Sequence, residues 1–412
     1  MIPDKKHIII VGAGFGGITA MKRLVKKLPS DFSVILVDRH HHQLYTPALY
    51  EIASVPREIT QDGMLRSSIL LPIKDMIQSK SVTHIVDEFI GLDPARKTIQ
   101  LQNAGAMAYE YLILALGSET SYFDIPGLRG YGFPFKNFID AIRMRNVIET
   151  SLKEEKELHI VVGGAGSAGV ELVAEFVNFI CIMQEKLMPD ANKCSIFFTL
   201  IEAAPDILPG FEPWVIALAK KRLHKLGVTL KTGATIASVS ETHITFGNGE
   251  MQKKDILIWT GGVKGPAIFH TMGLEISSKD SLIVDEYLRA KEPSGVIFAI
   301  GDNAMCMNPF TQKPVVGNVP AAEQEAKTVA MNVVRAIAGK PLIPFKHRKK
   351  YPFVLAVGKK YAIADLVIVR CWGLGGWIAK QLIELRYALI VLPFKKAILF
   401  WWRSVFVSRA ND

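Results

Sequence analysis

The sequence predicts an α/β protein with two Rossmann-like dinucleotide-binding domains and an amphipathic C-terminal region. Three observations support this prediction. A glycine-rich turn between a strand and a helix occurs near residue 12, the same pattern returns about 150 residues later, and the chain ends in basic and aromatic side chains. Apolar runs that lead into glycine turns are typical of parallel strands in such domains.

Length and composition agree with a multidomain globular protein. A chain of 412 residues exceeds one ordinary core, and 49% hydrophobic with 21% charged residues is globular composition. Lys5, Lys6 and His7 lead directly into the first apolar strand, so we expect no secretory signal. The four cysteines form no CxxC pair, which favours a reducing compartment and no bound metal.

The net charge of +10 predicts attraction to an anionic surface, either nucleic acid or lipid. Basic residues are concentrated between Phe345 and Lys360, where no acid occurs, and again in the tail. Because the tail is also apolar, we expect a membrane surface as partner and no nucleic acid. A solvated basic face is the alternative.

The first glycine turn is the GxGxxG motif GAGFGG of residues 12–17. Its first glycine makes the turn, its second lets the backbone approach a pyrophosphate, and its third lets helix and strand pack closely. Asp38 closes the next strand 21 residues after Gly17, where a carboxylate accepts hydrogen bonds from ribose hydroxyls. A GxGxxG motif alone is weak evidence, because it often forms only a turn. The preceding strand, the following helix and the acid at residue 38 together indicate a dinucleotide site.

The second glycine turn, GAGSAG of residues 164–169, repeats this device, and Glu202 closes the strand that follows. An acid there binds the 2′-hydroxyl of NADH and repels the 2′-phosphate of NADPH. No Arg or Lys follows at residues 203–206, so we expect NADH; a solvated strand end is the alternative for Glu202. Two dinucleotide sites indicate an electron relay with a resident flavin and an exchanging nicotinamide.

The order GxGxxG, ALGS, GxGxxG with VE, and IFAIGD resembles the two-dinucleotide-binding-domain flavoproteins related to glutathione reductase, over roughly residues 7–335. Within that fold, HHHQLYTPALYEIAS, LILALGSETSYFDIPGL, DAIRMRNVIE, IEAAPDILPGF and IVDEYLRA are similar to segments of type II (alternative, non-proton-pumping) NADH:quinone oxidoreductases. The resemblance implies an FAD enzyme of the respiratory chain, with FAD tightly bound, NADH as co-substrate and quinone as acceptor.

The resemblance also implies domain boundaries and site residues. The FAD-binding domain takes residues 1–120 and 276–340, the NADH-binding domain 121–275, and the membrane-association region 341–412. The implied FAD site contains Gly12, Ala13, Gly14, Phe15, Gly16, Gly17, Asp38, Arg39, Thr46, Pro47, Val82, Ala115, Leu116, Gly117, Gly301, Asp302, Ala322 and Glu323. The implied NADH site contains Gly164, Gly166, Ser167, Ala168, Gly169, Glu171, Glu202, Gly261 and Gly262. The implied quinone site contains Gln324, Trp377 and Lys380.

Two residues are predicted to act in catalysis. Glu171 is expected on the first turn of the second nucleotide helix as part of a proton path; a Glu favoured there by the helix dipole is the alternative. Glu175 is expected to be a structural ion-pair partner. Gln324 is expected to hydrogen-bond a quinone carbonyl or the flavin, the alternative being a surface Gln. The family's Ala-Gln-x-Ala pattern reads Glu323-Gln324-Glu325 here, which leaves the acceptor open.

Other chemistries of this fold are disfavoured by the cysteines and histidines. The segment from His40 to Gly63 has no Cys, so a thiol relay is not expected. Cys181 and Cys371 are badly placed for a sulfide:quinone reductase. The triplet His40-His41-His42 is predicted to form a solvated loop rather than a metal site.

The tail YALIVLPFKKAILFWWRSVF, from Tyr387 to Phe406, is not expected to span a bilayer, because that needs about 20 consecutive apolar residues and the PFKK sequence divides this stretch. On a helical wheel, one side contains Ala397, Ile398, Trp401, Trp402 and Val405, and another contains Lys395, Lys396 and Arg403. The division is imperfect, because Leu399, Phe400 and Phe406 do not follow it. This predicts an interfacial anchor; a last helix packed on the core is the alternative.

The sequence therefore predicts a peripheral flavoenzyme on the cytoplasmic face of the cell membrane, which oxidises NADH and reduces quinone. One alternative is a soluble NADH-dependent flavin reductase of the same fold that passes electrons to a ferredoxin-like protein or another acceptor. The second is either an enzyme similar to sulfide:quinone reductases or a membrane-bound flavoprotein that senses NADH and acts by binding partners. Whether the chain forms a homodimer is left open.

Overall fold

The computed structural model describes residues 5–187 and 195–410. Cys194, one of the scattered cysteines, lies outside them. The described helices are α1 (Phe15–Leu24), α2 (Leu49–Ala53), α3 (Asp62–Ile69), α4 (Ile73–Met76), α5 (Leu128–Tyr131), α6 (Phe138–Glu154), α7 (Ser167–Ile182), α8 (Pro213–Lys225), α9 (Val319–Ile337), α10 (Leu374–Val391) and α11 (Phe394–Ala410).

The described strands are β1 (Lys6–Val11), β2 (Phe32–Asp38), β3 (His42–Leu44), β4 (Leu70–Pro72), β5 (Val82–Val86), β6 (Phe89–Asp93), β7 (Thr98–Leu101), β8 (Gly105–Ala108), β9 (Tyr111–Leu114), β10 (Glu119–Thr120), β11 (Phe133–Pro134), β12 (Glu157–Gly163), β13 (Ser195–Ile201), β14 (Thr229–Lys231), β15 (Ile236–Val239), β16 (His243–Phe246), β17 (Met251–Lys253), β18 (Ile256–Trp259), β19 (Val263–Lys264), β20 (Leu282–Ile283), β21 (Ile297–Ala299), β22 (Ala304–Met305), β23 (Met307–Asn308), β24 (Lys313–Pro314), β25 (Phe353–Ala356), β26 (Ala362–Asp365) and β27 (Arg370–Gly373).

The first compact unit contains the described parts of Met1–Gln43, Leu71–Glu119 and Val263–Tyr351. Its centre is a five-stranded parallel sheet of order β21-β9-β1-β2-β5. The middle strand β1 is a continuous apolar run because it is covered on both faces. Helix α1 leaves this strand through the first glycine turn and packs against α9. The second buried parallel strand predicted from the sequence is β2.

The second compact unit contains Leu44–Leu70 and the described parts of Thr120–Gly262 and Pro352–Asp412. It has its own five-stranded parallel sheet, of order β11-β18-β12-β13-β14, whose middle strand β12 leads through the second glycine turn into α7. The predicted repeat of strand, glycine turn and helix is thus confirmed. The predicted β-rich segment is the antiparallel sheet β15-β16-β17, with Asn248 and Gly249 between its last two strands.

The C-terminal region adds an antiparallel sheet, β25-β26-β27, and the helices α10 and α11 to the second unit. Pro393 separates the two helices because proline cannot continue the preceding helix. Helix α10 packs against β26, and α11 packs against α10 and α3. The first glycines of α10 permit the close approach: a Cβ on Gly376 would lie 2.1 Å from the carbonyl oxygen of Ala362.

Candidate functional site

In the first glycine turn, the outer glycines pack against neighbouring backbone, and the middle glycine borders open space. Gly12 has φ +103°, and a Cβ there would lie 2.2 Å from the carbonyl oxygen of Ala115. A Cβ on Gly17 would lie 1.8 Å from the carbonyl oxygen of Gly12, whereas one on Gly14 would have nothing within 4 Å. The outer glycines therefore let protein pack on protein, and the middle one leaves room for a ligand, as a pyrophosphate requires.

The second glycine turn has the same division of roles. Gly164 has φ +99°, and a Cβ there would lie 2.3 Å from the Cα atom of Gly261. A Cβ on Gly169 would lie 2.0 Å from the carbonyl oxygen of Gly164, and one on Gly166 would have nothing within 4 Å. Neither α1 nor α7 has a side-chain cap at its N-terminus. Both helix ends fit a phosphate group, which the helix dipole and the backbone N–H donors attract.

Asp38 lies beside the first turn. Its Oδ2 accepts a hydrogen bond from the backbone N–H of Ala13 at 2.7 Å, and its Oδ1 accepts one from that of His40 at 2.8 Å. These bonds fix the carboxylate at the C-terminal end of β2, next to the turn. This is the placement that ribose binding needs.

Glu202 repeats the arrangement in the second unit. Its Oε2 accepts from the backbone N–H of Ala165 at 2.8 Å, and its Oε1 accepts from that of Ala204 at 3.0 Å. An acid of each unit thus binds the backbone just after the first glycine of its turn. The two sites have the same arrangement of glycine turn and carboxylate, although the acid is Asp in one and Glu in the other.

Asp302 follows β21 in the first unit and is held by the segment after β9. Its Oδ2 accepts from the Ser118 hydroxyl at 2.9 Å. The next residue, Asn303, is fully buried; its Oδ1 accepts from the backbone N–H of Gly117 at 3.1 Å, and its Nδ2 donates to the carbonyl oxygen of Leu114 at 3.1 Å. Asn303 was not predicted from the sequence, where its only signal is its place after the Gly-Asp pair.

A cavity of about 430 Å³ opens beside this turn in the first unit. Its walls include Gly301, Asp302 and Ala322, three of the residues implied for FAD, together with Lys264 and Glu325. The glycine turn, the ordered Asp302 and this cavity fit the elongated, partly anionic FAD molecule. The first unit therefore has the features that an FAD site requires.

Glu325 is an acidic group of this cavity that was not predicted from the sequence to be a site residue. Its side chain is buried, and its Oε2 accepts from the backbone N–H of Gly301 at 2.6 Å. Burial raises the pKa of its carboxyl to about 8, with a further contribution from the charge of Asp302, although the bond from Gly301 opposes the shift. The carboxyl is therefore largely protonated near neutral pH.

The neighbours of Glu325 on α9 have separate contacts. Gln324 donates from Nε2 to the carbonyl oxygen of Lys346, and its Oε1 is buried without a hydrogen-bond partner. Glu323 pairs with Lys327 at 3.7 Å, one turn further along the helix. Gln324 is thus anchored by its amide nitrogen rather than being an ordinary surface Gln.

The other residues implied for the FAD and NADH sites lie on several different helices, strands and turns. Phe15 begins α1, and a Cβ on Gly16 would lie 3.2 Å from the side chain of Ile300. Arg39 is exposed, and Val82 is the first residue of β5. Leu116 packs against the core of the first unit, whereas Thr46 and Pro47 form an exposed 3₁₀ turn of the second. Ser167 and Ala168 begin α7, and Gly262 accepts at its carbonyl oxygen from the backbone N–H of Ser121 at 3.0 Å.

Glu171 lies on the second turn of α7, not on the first turn as predicted. The helix begins at Ser167, inside the glycine motif, so Glu171 is its fifth residue. The helix dipole acts mainly within the first turn, so it is a weaker explanation for a Glu at this position. The Oε1 of Glu171 accepts from the backbone N–H of Ala356 at 3.2 Å.

The pKa of Glu171 is raised to about 8, chiefly by burial of its carboxyl. The bond from Ala356 and the charge of Lys380 oppose this shift, and the charge of Glu51 adds to it. The group holds a proton near neutral pH and releases it slightly above. A carboxyl with this pKa is suited to proton transfer.

Glu171 belongs to a cluster of buried ionisable side chains in the second unit. Lys380 of α10 pairs with Glu51 of α2, and both are largely buried. Burial alone would lower the pKa of Lys380, but Glu51 and Glu384 outweigh it and raise the pKa. Glu175 contributes to the same effect on Lys380. Lys380 is therefore a fixed cation among carboxyl groups.

The cluster contains more acids than its one lysine neutralises. Burial raises the pKa of Glu384, with a further contribution from Glu51, against the opposing charge of Lys380. The pKa of the Tyr50 phenol is raised by burial and by the neighbouring carboxylates, so Tyr50 stays neutral. Since isolated buried charges are costly, the cluster retains protons on its raised-pKa carboxyls at neutral pH.

Several polar atoms beside this cluster are buried without a hydrogen-bond partner. They are the hydroxyl of Tyr50 and both amide atoms of Gln381. The carboxyl of Glu384 and the hydroxyl of Ser404 are also buried here and contact each other. Such groups usually bind ordered water. None of Gln381, Glu384 and Ser404 was predicted from the sequence.

The polar and apolar faces of helix α10 are placed in the opposite way from those of a typical surface helix in a water-soluble protein. It buries Gln381 and Glu384, which are 4% and 1% exposed. Its exposed side chains are mostly apolar: Leu374, Ile378, Leu382, Ile383, Leu389 and Ile390. Trp377, implied for quinone, is half-buried on the same helix.

The predicted division of the last helix is partly wrong. In α11, Ala397 and Val405 of the predicted apolar side are buried, but Trp402 of that side is 59% exposed. Phe400, which lies outside that side, is buried, and its ring lies 6.0 Å from that of Tyr45. Packing on α10 and α3 selects the buried face, so an apolar side chain on the opposite face stays exposed.

Among the described cysteines and histidines, the Sγ of Cys306 lies 3.9 Å from the Nε2 of His347. Cys181, Cys306 and Cys371 are free, and burial raises the pKa of the Cys306 thiol to about 12. Within residues 5–187 and 195–410, no group of three or more His, Cys, Asp or Glu side chains is placed to hold a metal ion. The rings of His40 and His42 stack at 5.4 Å.

The model of the pyridine nucleotide-disulphide oxidoreductase family matches residues 6–326. The chain therefore belongs to this family, as the two dinucleotide-binding units indicate.

Curated relatives extend the similarity beyond the family match. The type II NADH:quinone oxidoreductase of Staphylococcus saprophyticus is 27% identical over 364 residues, which cover 84% of this chain and 86% of that protein. The protein of the same name from Staphylococcus aureus strain NCTC 8325 is 26% identical over 365 residues, with the same coverage of both chains.

Solved structures agree on the fold. NDH2 from Plasmodium falciparum, in complex with NADH, gives a TM-score of 0.83 at 20% identity and covers 97% of this chain and 98% of its own. The sulfide:quinone oxidoreductase of Aquifex aeolicus gives 0.77 at 17% identity, covering 96% and 94%. A ferredoxin reductase from Rhodopseudomonas palustris gives 0.69 at 19% identity, covering 87% and 82%.

Proposed function

We propose that this chain is a peripheral membrane flavoenzyme that oxidises NADH and reduces a membrane quinone without pumping protons. The observation that carries the proposal is the combination of two dinucleotide sites with helix α10, which buries polar side chains and exposes apolar ones. Its curated relatives are named type II NADH:quinone oxidoreductases. A quinone is lipid-soluble, so an enzyme that reduces it benefits from an apolar surface at the bilayer.

FAD is assigned to residues 1–120 and 276–340. Gly14 leaves the space for the pyrophosphate, Asp38 receives the adenosine ribose, and Asp302 faces the cavity that takes the middle of the molecule. When bound, FAD supplies the acceptor for the hydride of NADH and the donor of electrons to the quinone. The remaining residues implied for FAD complete this site in the proposal.

NADH is assigned to residues 121–275. Gly166 leaves space for its pyrophosphate beside the N-terminus of α7, and Glu202 accepts from its ribose hydroxyl. The carboxylate repels a 2′-phosphate, which makes NADH the preferred nucleotide. Gly261 borders the turn, Gly262 follows it in the chain, and Ser167 and Ala168 supply the first amides of the helix.

Proton delivery to the quinone is assigned to Glu171. Its raised pKa, to about 8, means that the carboxyl holds a proton when electrons arrive at neutral pH. Lys380 lowers that pKa toward the working range, and so acts as a positioning residue as well as an implied contact of the quinone. Gln324 and Trp377 are assigned to the quinone as polar and aromatic contacts.

Membrane attachment is assigned to residues 341–412, on the cytoplasmic face of the cell membrane. The apolar face of α10 has the composition that lies in an interface, and the basic residues around it match anionic headgroups. Among the described residues, one segment, Ser167–Glu185, has the length and composition to cross a bilayer, and 67% of it is buried as the core helix α7 and the turn after it.

The decisive experiment is NADH oxidation by the purified, FAD-loaded protein with and without a soluble quinone. We expect quinone-stimulated turnover. If NADH reduces the flavin but quinone does not reoxidise it, whereas a ferredoxin does, the soluble reductase is the correct assignment. If neither acceptor reoxidises it, the NADH-sensing role is favoured.

Attachment is tested with the double variant Leu382→Ser/Ile390→Ser, compared with wild type on vesicles that contain phosphatidylglycerol. Cutting the chain after Tyr387 is a poorer test, because it would remove the end of α10 and the ring contact between Tyr45 and Phe400. We expect the double variant to sediment less with the vesicles. Equal sedimentation would remove α10 from the proposed anchor.

A further inference from the structure

The antiparallel hairpin β26–β27 ends in an apolar tip. Its strands pair Asp365 with Arg370, and the backbone N–H of Leu366 donates to the carbonyl oxygen of Val369 at 2.9 Å. The three tip residues Val367, Ile368 and Val369 are 49%, 94% and 55% exposed. Ile368 is the most exposed large apolar side chain in the part of the chain that the structure describes.

The backbone of this turn does not suit its side chains. Val367 has φ +75°, a conformation that Gly, Asn and Asp adopt and that a β-branched residue avoids. A turn that only had to reverse the chain in water would favour one of those residues. An apolar, strained tip points to a binding role for the side chains.

The tip continues into the exposed apolar face of the C-terminal region. Trp372 and Leu374 follow it at 55% and 57% exposure, and Ile378 extends the run onto α10. β27 has four residues, and strands rise about 3.3 Å per residue, so the tip lies about 13 Å along the strand from the start of α10. That is less than half of the roughly 30 Å thickness of a bilayer core.

Within the segment from Leu366 to Ala410, the exposed charges have one sign. From Leu366 to Ala410 the only acidic residue is Glu384, which is buried. The exposed charged residues of this range are Arg370, Arg386, Lys395, Lys396 and Arg409. The half-exposed Glu212 near the base of the tip is paired with Arg370. An apolar surface on which exposed cations predominate is complementary to an anionic lipid surface.

We propose that the tip Val367-Ile368-Val369 inserts into an anionic bilayer as a second contact, separate from the face of α10. The inference rests on the proposed membrane attachment and extends it to a segment outside the two C-terminal helices. Arg370, at the base of the tip, pairs with Asp365 and Glu212 and lies where headgroup phosphates would meet it.

The test measures binding of the FAD-loaded protein to vesicles of phosphatidylcholine with phosphatidylglycerol. The variant Val367→Ser/Ile368→Ser/Val369→Ser is compared with Ile139→Ser, whose side chain on α6 is also exposed, at 61%. We expect about a tenfold or greater loss of vesicle affinity for the tip variant, from the lost apolar burial, and none for Ile139→Ser. Equal binding of the tip variant and wild type would overturn the proposal.

A single substitution separates binding from folding. Val367→Asn suits the positive φ, so its melting temperature should equal or exceed that of wild type while its vesicle affinity falls. A fall in melting temperature with unchanged affinity would mean that Val367 is structural.

Hydrogen exchange of the wild type needs no variant. Amides 366–369 should gain protection when vesicles are added, and unchanged exchange in the bound protein would overturn the proposal. If the wild type does not bind vesicles at all, the attachment itself fails. If the tip variant changes only the oligomeric state, the tip is a contact between copies of the chain.

Discussion

The backbone N–H of Ala356 donates to the Oε1 of Glu171 at 3.2 Å, which ties the second nucleotide helix to the first strand of the C-terminal sheet. The bond joins residues 185 positions apart in the chain, inside one compact unit. It favours the charged form of a carboxyl that burial otherwise keeps protonated. Glu171 is thereby held close to its point of titration.

Glu171→Gln should separate the two half-reactions. The amide keeps the shape and an acceptor oxygen but loses the exchangeable proton. We expect NADH to reduce the flavin at a nearly unchanged rate and quinone to reoxidise it about 100-fold more slowly. In wild type, reoxidation should slow as pH rises through about 8, because the carboxyl then ionises.

Stopped-flow measurements of each half-reaction from pH 6 to 9 provide the check. Glu185→Gln is the control, since that carboxyl is exposed at the end of the same helical segment. Unchanged rates for Glu171→Gln in both half-reactions would make Glu171 a structural residue.

Lys380→Met should destabilise the protein by about 3–5 kcal/mol, because it leaves the buried Glu51 without its cation. Adding Glu51→Gln should recover much of that loss, since the second variant removes the unpaired charge. Urea denaturation of the single and double variants measures both effects. Lys396→Met, at an exposed position on α11, should change stability by less than about 0.5 kcal/mol. If Lys380→Met were equally mild, the ion pair would contribute little.

Glu202→Arg should shift the nucleotide preference toward NADPH. The change removes a carboxylate at the ribose and supplies a cation for a 2′-phosphate. We expect the ratio of kcat/KM for NADPH to that for NADH to rise at least about tenfold. Asp38→Asn is the matched variant in the first unit, and it should weaken FAD retention without altering that ratio. A ratio that responds to Asp38 rather than to Glu202 would reverse the assignment of the two sites.

Gly166→Ala should weaken NADH binding, whereas Gly164→Ala should reduce stability. The Cβ at residue 166 meets nothing within 4 Å, so the variant should fold normally and bind NADH more weakly. At residue 164 the positive φ and the Cα atom of Gly261 at 2.3 Å oppose any side chain, so the variant should lose several kcal/mol of stability. Thermal unfolding and NADH titration of both proteins distinguish the effects. Equal stability of the two variants would contradict the assigned roles.

Glu325→Gln should change how stability depends on pH. The pKa of Glu325 is raised from 4.5 to about 8 in the folded protein, so the folded state holds this proton where the unfolded state has lost it. The resulting stability is complete below pH 4.5 and is lost as pH rises to about 8, at up to about 1.4 kcal/mol per pH unit.

We therefore expect Glu325→Gln to gain stability relative to wild type between pH 5 and 8, measured by denaturation at each pH. Glu286→Gln, an exposed carboxyl of the same unit, should follow the wild-type curve. Parallel curves for Glu325→Gln and wild type would show that Glu325 does not titrate as described.

Much of the nucleotide chemistry was predictable because it depends on short segments. The glycine turns, the strands before them and the acids Asp38 and Glu202 lie within about 40 residues of each other in each unit. The backbone geometry and hydrogen bonds of such short segments can be predicted from the sequence patterns of turns, strands and helices. Site roles assigned through family resemblance, such as those of Thr46, Val82 and Trp377, remain predictions.

The tertiary structure decided what distant segments do together. No local pattern shows that Lys380 pairs with Glu51, that Glu384 lies beside both, or that Glu325 binds the backbone of Gly301. Burial by neighbouring elements sets these pKa shifts, and a single sequence does not reveal which side of a helix those neighbours cover. The sequence by itself determined two dinucleotide-binding units with an apolar, basic end. Only tertiary packing determined that α10 hides its polar side chains and exposes its apolar ones, because the contacts of α10 with β26 and α11 decide which face meets the solvent.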